Sequence, residues 1–346
     1  MLAALAADDT ALVVLIVAAR LFIPLLIPGT PLLIIAAFTL DAVDGSLLEQ
    51  FTSVDTSPGG SYQSWDKALD IYYLSIAYVS TMRNWTSVPA FRIARFLFYY
   101  RLVGIAAFEL TGDRWVLLLF PNTFEFFFIA YEAFRTRFEP SRFSARTWLL
   151  IAAGLWIFVK LPQEYWIHVA QLDFTDAVEN HPWFGWLSAA VVAGVLAVLW
   201  FGVRPRLPEP SWNLLLRATP ASANPAGERQ SRSLIGEKIA LLALLCFVFA
   251  QILPGIDATA MQLTVGVSFV VMANTLLTRL PSAALLAANL VLIYIASLIL
   301  TGAADFQLGA GLFFAFLLTL IIVLYDRYSG GRSSGDRWPS GAPPPL

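Results

Sequence analysis

Two short stretches, DAVDG at residues 41–45 and WDKALD at residues 65–70, decide how this chain is interpreted. Each stretch places two aspartates at the predicted end of an apolar run. A carboxylate near the centre of a membrane costs about 3 kcal/mol on insertion scales, and such residues usually have a function. The purpose of these four carboxylates is therefore the first question that the sequence raises.

The composition around these stretches is that of a membrane protein. Of the 346 residues, 58% are hydrophobic and 13% are charged, whereas about 25% of the residues of an average soluble domain are charged. The net charge of −2 provides no general basic surface, so no nucleic-acid partner is expected. Cys246 is the one cysteine, which excludes an intramolecular disulfide and a cysteine-rich metal site.

The apolar runs predict an all-α, polytopic integral membrane bundle of about 10 to 11 transmembrane helices. The predicted spans lie near residues 11–27, 31–46, 68–83, 96–111, 115–131, 147–162, 186–203, 237–254, 259–278, 281–301 and 307–325. The expected location is the cell membrane, which the chain crosses several times.

Polar segments suggest a division of the chain into three parts. Residues 1–135 are predicted to form an N-terminal membrane domain that carries the acidic stretches, and residues 136–328 a C-terminal membrane domain. The second domain contains an acidic, aromatic loop at 163–185 and an arginine-rich loop at 204–236, which is expected to be flexible. The Gly-, Ser- and Pro-rich tail, residues 329–346, is predicted to be disordered.

The distribution of arginine predicts the orientation of the second half of the chain. Basic loops face the cytoplasm, which places the loop 204–236 and the C-terminus on the cytoplasmic side. The same rule leaves the side of residues 45–67 open, because it depends on whether the segment 96–111 crosses the membrane.

The spacing of the four aspartates predicts a cation site. Asp41 and Asp44 are three residues apart, and Asp66 and Asp70 are four apart, so each pair shares one face of a helix. If the two helices are neighbours, the carboxylates repel one another unless protons or a cation neutralise them. Hard divalent cations prefer oxygen ligands, so Mg²⁺ or Mn²⁺ held by all four aspartates is expected. Gly45 allows a phosphate to approach closely, although helix ends and Asp-Gly turns are an alternative explanation.

The two stretches resemble the signature of the CDP-alcohol phosphatidyltransferases, D-x2-D-G-x2-A-R followed by G-x3-D-x3-D. The upstream segment ARLFIP, which contains Arg20, also resembles the start of the first helix in that family. The resemblance covers residues 16–75. Two positions depart from the signature, because Leu48-Glu49 stands in place of A-R and Tyr62 in place of the glycine.

The resemblance implies a membrane phosphotransferase of lipid or phosphoalcohol metabolism, with a membrane lipid and a CDP-linked donor as partners. Asp41, Asp44 and Asp66 would hold the metals and the donor diphosphate. Asp70, which is also close to the metals, would be the catalytic general base on the acceptor hydroxyl. The arginines that would hold an anionic acceptor are Arg92, Arg95 and Arg101.

Two further groups of polar residues are candidate sites. Glu164 and His168 are four residues apart and Asp173 follows them, which favours a second metal site or a general base on the outer surface. An interfacial segment anchored by aromatic residues is the alternative. Glu125 lies in an apolar run, where it is expected to pair with an arginine such as Arg101 or to line a polar cavity.

Two other functions fit the same sequence. A polytopic glycosyltransferase that uses a polyprenyl-phosphate sugar as donor predicts that Asp41 and Asp44 lie outside the cell. A transporter or non-catalytic scaffold predicts a water-filled path from Glu125 to the aspartates. The phosphotransferase is the preferred hypothesis, because D-x2-D-G followed by D-x3-D is more specific than acidic residues in a loop.

Overall fold

A computed structural model confirms that the chain is helical. The structure describes residues 7–54, 63–170, 177–178, 180–218, 231–252, 260–277, 281–301 and 308–329, and these ranges contain no β-strand. In chain order the α-helices are α1 (Ala7–Leu25), α2 (Leu33–Phe51), α3 (Gln63–Asn84), α4 (Val88–Thr111), α5 (Trp115–Leu119), α6 (Thr123–Arg135), α7 (Ala145–Leu155), α8 (Leu161–Glu164), α9 (Pro182–Ala197), α10 (Ser231–Ile252), α11 (Ala260–Leu276), α12 (Ser282–Thr301) and α13 (Leu308–Ser329). Short π-helical segments, Trp156–Lys160 and Tyr165–Val169, flank α8.

Three helical stretches of the described residues are long and apolar enough to cross a membrane. They are Trp115–Arg135, Ala145–Glu164 and Gly311–Ser329, and each overlaps one of the predicted spans. Length and composition of these stretches are thus compatible with a membrane protein.

The connection between α1 and α2 is a tight turn. Pro24 lies in the last turn of α1, and the chain reverses over the following residues with a hydrogen bond of 2.8 Å from the Thr30 N–H to the Leu26 carbonyl. Proline removes a backbone donor and disfavours continuation of the helix. The two helices consequently pack against each other as a hairpin.

The helix α2 is longer than the predicted span 31–46. It begins at Leu33 and ends at Phe51, so Asp41 and Asp44 lie inside the helix. The sequence had predicted that they lie at its end, and that prediction is wrong. At 1.5 Å per residue, Asp41 is about 12 Å from the start of α2. The acidic stretch is therefore within the helical bundle.

The helix α3 is central to the described structure. It packs against α1, α2, α4, α10 and α13, and every residue from Ile71 to Met82 is buried. Its hydroxyl groups bond to carbonyls of their own helix, as Ser75 does to Ile71 at 2.6 Å, which satisfies them in an apolar environment. The surrounding core joins the two halves of the chain, since Leu245 of α10 and Ile321 of α13 belong to the same cluster.

The first part of the predicted flexible loop, residues 204–236, is anchored to the end of α6. The backbone N–H groups of Ser211 and Leu215 donate hydrogen bonds to the carbonyls of Arg137 and Thr136, at 2.8 and 2.9 Å. These bonds pair backbone groups that would otherwise need water. The described part of this segment is thus held in place.

Gly104 permits a close contact between α4 and the end of α5. A Cβ atom at Gly104 would lie 2.2 Å from the Cβ of Phe120, and the Tyr100 hydroxyl bonds across the same contact to the Leu119 carbonyl at 2.8 Å.

We expect Gly104→Ala to lower the free energy of unfolding by about 1–3 kcal/mol, because Phe120 must shift. Thermal unfolding in detergent, followed by circular dichroism, measures the change. The control is Gly154→Ala in α7, where a Cβ meets nothing within 4 Å. Equal midpoints for both variants would contradict the close contact.

Candidate metal centre

The four aspartates converge on one buried arginine. Arg20 of α1 is 4% exposed, and its guanidinium donates a hydrogen bond to each carboxylate. Nη1 contacts Asp44 and Asp66, and Nη2 contacts Asp41 and Asp70. The structure therefore brings together the residues whose spacing predicted a common site.

Three neighbouring helices build this arrangement. The helices α1, α2 and α3 pack against one another, and the three- and four-residue spacings direct both carboxylates of each pair to the same side of their helix. A guanidinium is planar and presents five N–H donors in a fixed fork, which suits several acceptors around it better than an ammonium group would.

The aspartate cluster is closed on one side and open on the other. The side chain of Asp44 is 3% exposed, whereas those of Asp66 and Asp70 are 36% and 38% exposed. Asp44 thus lies at the base of the cluster, and solvent or a ligand reaches it past Asp66 and Asp70.

The charge of the cluster is not balanced by Arg20. One guanidinium faces four carboxyl groups, so the cluster holds more acidic than basic groups. Uncompensated carboxylates at such short separations are unfavourable in a partly buried place and are stabilised by a further cation.

Three of the carboxylates are close enough together that they could hold a metal ion. Asp41, Asp66 and Asp70 each offer an oxygen atom, and these atoms lie within 4.8 Å of one another. Opposite ligands of a Mg²⁺ ion are about 4.2 Å apart, given Mg–O distances of about 2.1 Å. Each of these carboxylates also has a second oxygen beside the one that accepts from Arg20. Asp44, predicted as a fourth ligand, is outside this group and contacts Arg20 from the buried side.

Gly45 lies beside the cluster with space around it. A Cβ atom at this position would meet nothing within 4 Å, so no close helix contact accounts for the glycine. The predicted approach of a phosphate at Gly45 stays a prediction.

Two of the predicted acceptor-binding arginines are far from the aspartates along α4. Lys67, next to Asp66, forms an ion pair of 2.9 Å with Glu109 of α4. Glu109 therefore marks the part of α4 that lies nearest to the aspartate cluster. Arg95 is about 21 Å further along α4, where it pairs with Glu237 at 3.5 Å. Arg92 is exposed and lies farther still. The structure does not bring these two arginines to the cluster.

A buried polar network lies behind the cluster and contains Glu125. This carboxylate is 1% exposed and accepts hydrogen bonds from the Tyr73 hydroxyl at 2.5 Å and from the Asn122 side-chain amide at 3.1 Å. Its expected arginine partner, Arg101, instead contacts Glu164 at 3.9 Å. Glu164 also accepts a hydrogen bond of 3.0 Å from the Asn122 backbone N–H.

These contacts change the interpretation of the second acidic group. Glu164 is buried and belongs to the interior network, not to an outer surface. Asp173 and the side chain of His168 lie outside the described residues, so a second metal site involving them stays a prediction.

The sequence did not predict the buried positions of two basic residues, Arg20 and Lys160. Arg20 entered only through a family resemblance, and its role at the centre of the cluster depends on the packing of α1. Lys160 is also buried. The available signal was its position four residues before Glu164 in an apolar run, which puts both charges on one face of a helix.

The described fold and site define a helical chain with membrane-length helices and a buried arginine–aspartate centre. The chain matches no family model, no curated protein and no solved structure. The candidate site therefore rests on the geometry of its own residues.

Proposed function

We propose that this chain is a divalent-metal-dependent membrane phosphotransferase, similar to the CDP-alcohol phosphatidyltransferases, in lipid or phosphoalcohol metabolism. The observation that carries the proposal is the convergence of two helical aspartate pairs on one open-sided centre, in which four carboxyl groups share one guanidinium. Phosphoryl transfer depends mainly on positioning and on neutralising charge, and carboxylate-held metal ions commonly provide both.

In this proposal each residue of the centre has a distinct task. Asp41, Asp66 and Asp70 would hold Mg²⁺ or Mn²⁺, which would supply the positive charge that neutralises a donor diphosphate. Arg20 and Asp44 fix the carboxylates in place. Asp70 accepts the proton of the acceptor hydroxyl, whose oxygen forms the new bond to phosphorus as the bond to the nucleotide breaks. The exposure of Asp70 gives the acceptor access.

The proposal also includes the placement of the chain in the membrane. We propose a multi-pass bundle of about 10 to 11 helices with a cytoplasmic C-terminus, a membrane lipid as one partner and a CDP-linked donor as the other. The three membrane-length helices and the arginine-rich segment after residue 203 support this placement.

The proposed metal site is tested by Mn²⁺ binding to the purified full chain, measured by electron paramagnetic resonance. We expect stoichiometric binding by the wild type and a loss of affinity of at least about tenfold in the double variant Asp41→Asn, Asp66→Asn. Asparagine keeps the shape of aspartate, and removing two negative charges reduces repulsion, so the variant is expected to fold. The control Glu49→Gln changes an exposed carboxylate on α2 and should bind Mn²⁺ like the wild type. A wild type that binds no Mn²⁺ would contradict the proposal, whereas binding justifies assays with CDP-alcohol donors.

A further inference from the structure

Lys160 is a buried cation that has no hydrogen-bond partner among the described residues. It ends the π-helical segment Trp156–Lys160 and is 4% exposed. Its Nζ lies 4.3 Å from the centre of the Phe126 ring, and within the described part of the chain it forms no hydrogen bond or ion pair. Burying an ammonium group without a hydrogen bond is unfavourable. π-Helical turns are rare in proteins, and those that occur often lie at functional sites.

Other buried or half-buried cations of the described residues have direct partners. These pairs are Lys67 with Glu109 at 2.9 Å, Lys238 with Asp326 at 2.7 Å, Arg135 with Glu132 at 2.5 Å, and Arg101 with the Phe120 carbonyl at 3.0 Å. Lys160 differs from them, because its three N–H donors face a ring and no acceptor.

The ring under Lys160 links it to the aspartate cluster. Phe126 of α6 contacts the ring of Phe38 of α2, with 5.7 Å between ring centres. Phe38 is three residues before Asp41 and therefore shares its face of α2. The carboxylates that act electrostatically on Lys160 are Glu125, then Glu164 and, more weakly, Asp41. The Phe126 ring thus connects the ammonium to the α2 helix that carries Asp41.

The charges of the centre explain why a ligand would need this ammonium. Four carboxyl groups surround one guanidinium in the cluster, so a phosphate group is held more firmly there if a further cation beside the metal ion lies close to it. Arg20 already contacts four carboxylates, and Arg101 is bonded to the Phe120 carbonyl. Among the described residues, Lys160 is a buried lysine that donates no hydrogen bond, so all of its N–H donors remain available.

We propose that Lys160 binds an anionic phosphate oxygen of the substrate, beside the aspartate cluster. This inference rests on the proposed function and adds to it a residue that contacts substrate. The ammonium approaches the phosphate from the side opposite the carboxylates, orients it and offsets the charge that the aspartates leave. The electrostatic attraction between the Glu125 carboxylate and the Lys160 ammonium keeps the lysine side chain in place until the anion binds.

Binding of inorganic pyrophosphate to the full chain in detergent tests the inference, with isothermal titration calorimetry in the presence and absence of Mn²⁺. We expect Lys160→Met to weaken pyrophosphate binding by at least about tenfold, as loss of a charge-assisted hydrogen bond does, and Lys160→Arg to retain most of the affinity. The control Lys67→Met removes a lysine near the cluster that is already paired with Glu109, and should bind like the wild type. Mn²⁺ affinity should be unchanged in Lys160→Met.

The outcomes separate this inference from the proposed function. Equal pyrophosphate affinity of the wild type and Lys160→Met would overturn the role of Lys160, as would a wild type that binds no pyrophosphate with or without Mn²⁺. Failure of the metal site would appear independently, in the Mn²⁺ titration of the wild type. Lys160→Gln, which keeps polar N–H groups but no charge, provides a second variant in case methionine prevents folding, and it should show the same loss.

Discussion

Replacing Arg20 with methionine is expected to lower the free energy of unfolding by about 3–5 kcal/mol, the usual cost of leaving buried charges without their partner. Arg20 contacts all four aspartates, so its loss leaves four carboxylates facing one another. Thermal unfolding in detergent, followed by circular dichroism, measures the effect. We also expect Mn²⁺ to recover part of the lost stability in Arg20→Met, because a bound cation stabilises the folded state.

Two variants sharpen this prediction. Arg20→Lys should be intermediate, since a point charge replaces the fork that reaches several carboxylates at once. Arg92→Met removes an exposed arginine and should leave the unfolding midpoint within experimental error of the wild type. An Arg20→Met protein that unfolds like Arg92→Met would contradict the central position of Arg20.

A similar loss is expected for Arg135→Met at the end of α6. Glu132 is fully buried, and it accepts hydrogen bonds from Arg135 at 2.5 Å and from the Trp85 indole at 2.8 Å. Without Arg135 its charge is left with one neutral donor, which costs about 3–5 kcal/mol. Arg135 also donates to the Arg217 carbonyl at 3.2 Å, so the anchored segment should become more accessible to proteases.

A double-mutant cycle distinguishes the charge pair from simple loss of packing. Glu132→Gln combined with Arg135→Met removes both charges and keeps the hydrogen bond from Trp85, so it should be more stable than Arg135→Met alone. The control Arg137→Met changes an exposed side chain two residues away. If the double variant were no more stable than Arg135→Met, the pair would not be the source of the loss.

Part of the candidate site could be predicted because it depends on local spacing. Asp41 and Asp44 share a face of α2 wherever that helix lies, and the same holds for Asp66 and Asp70 on α3. The position of the first pair within its helix was wrong, because the apolar run ends near residue 46 whereas α2 continues through polar residues to Phe51. Hydropathy reports where lipid-like residues stop, and a helix that packs on others need not stop there.

The basic residues around the site show the limit of such reasoning. Arg92 and Arg95 are close in sequence to the acidic motif, but α4 runs back along α3 and carries them away from it. Lys160 is far in sequence, yet it contacts Phe126 of α6, whose ring lies against Phe38 of α2, three residues before Asp41. Sequence distance says little about which helices of a bundle become neighbours.

The sequence by itself determined the helical class, the membrane-like composition and the grouping of the aspartates in two pairs. These properties follow from composition and from the 3.6-residue period of a helix, both of which are local. The tertiary structure decided that the two pairs face each other, that Arg20 lies between them, and that Glu125 bonds to Tyr73 while Lys160 lies over the Phe126 ring. Those outcomes depend on which faces of distant helices are buried together. The free energy of that packing is a sum over contacts between residues far apart in sequence, so no local pattern reveals it.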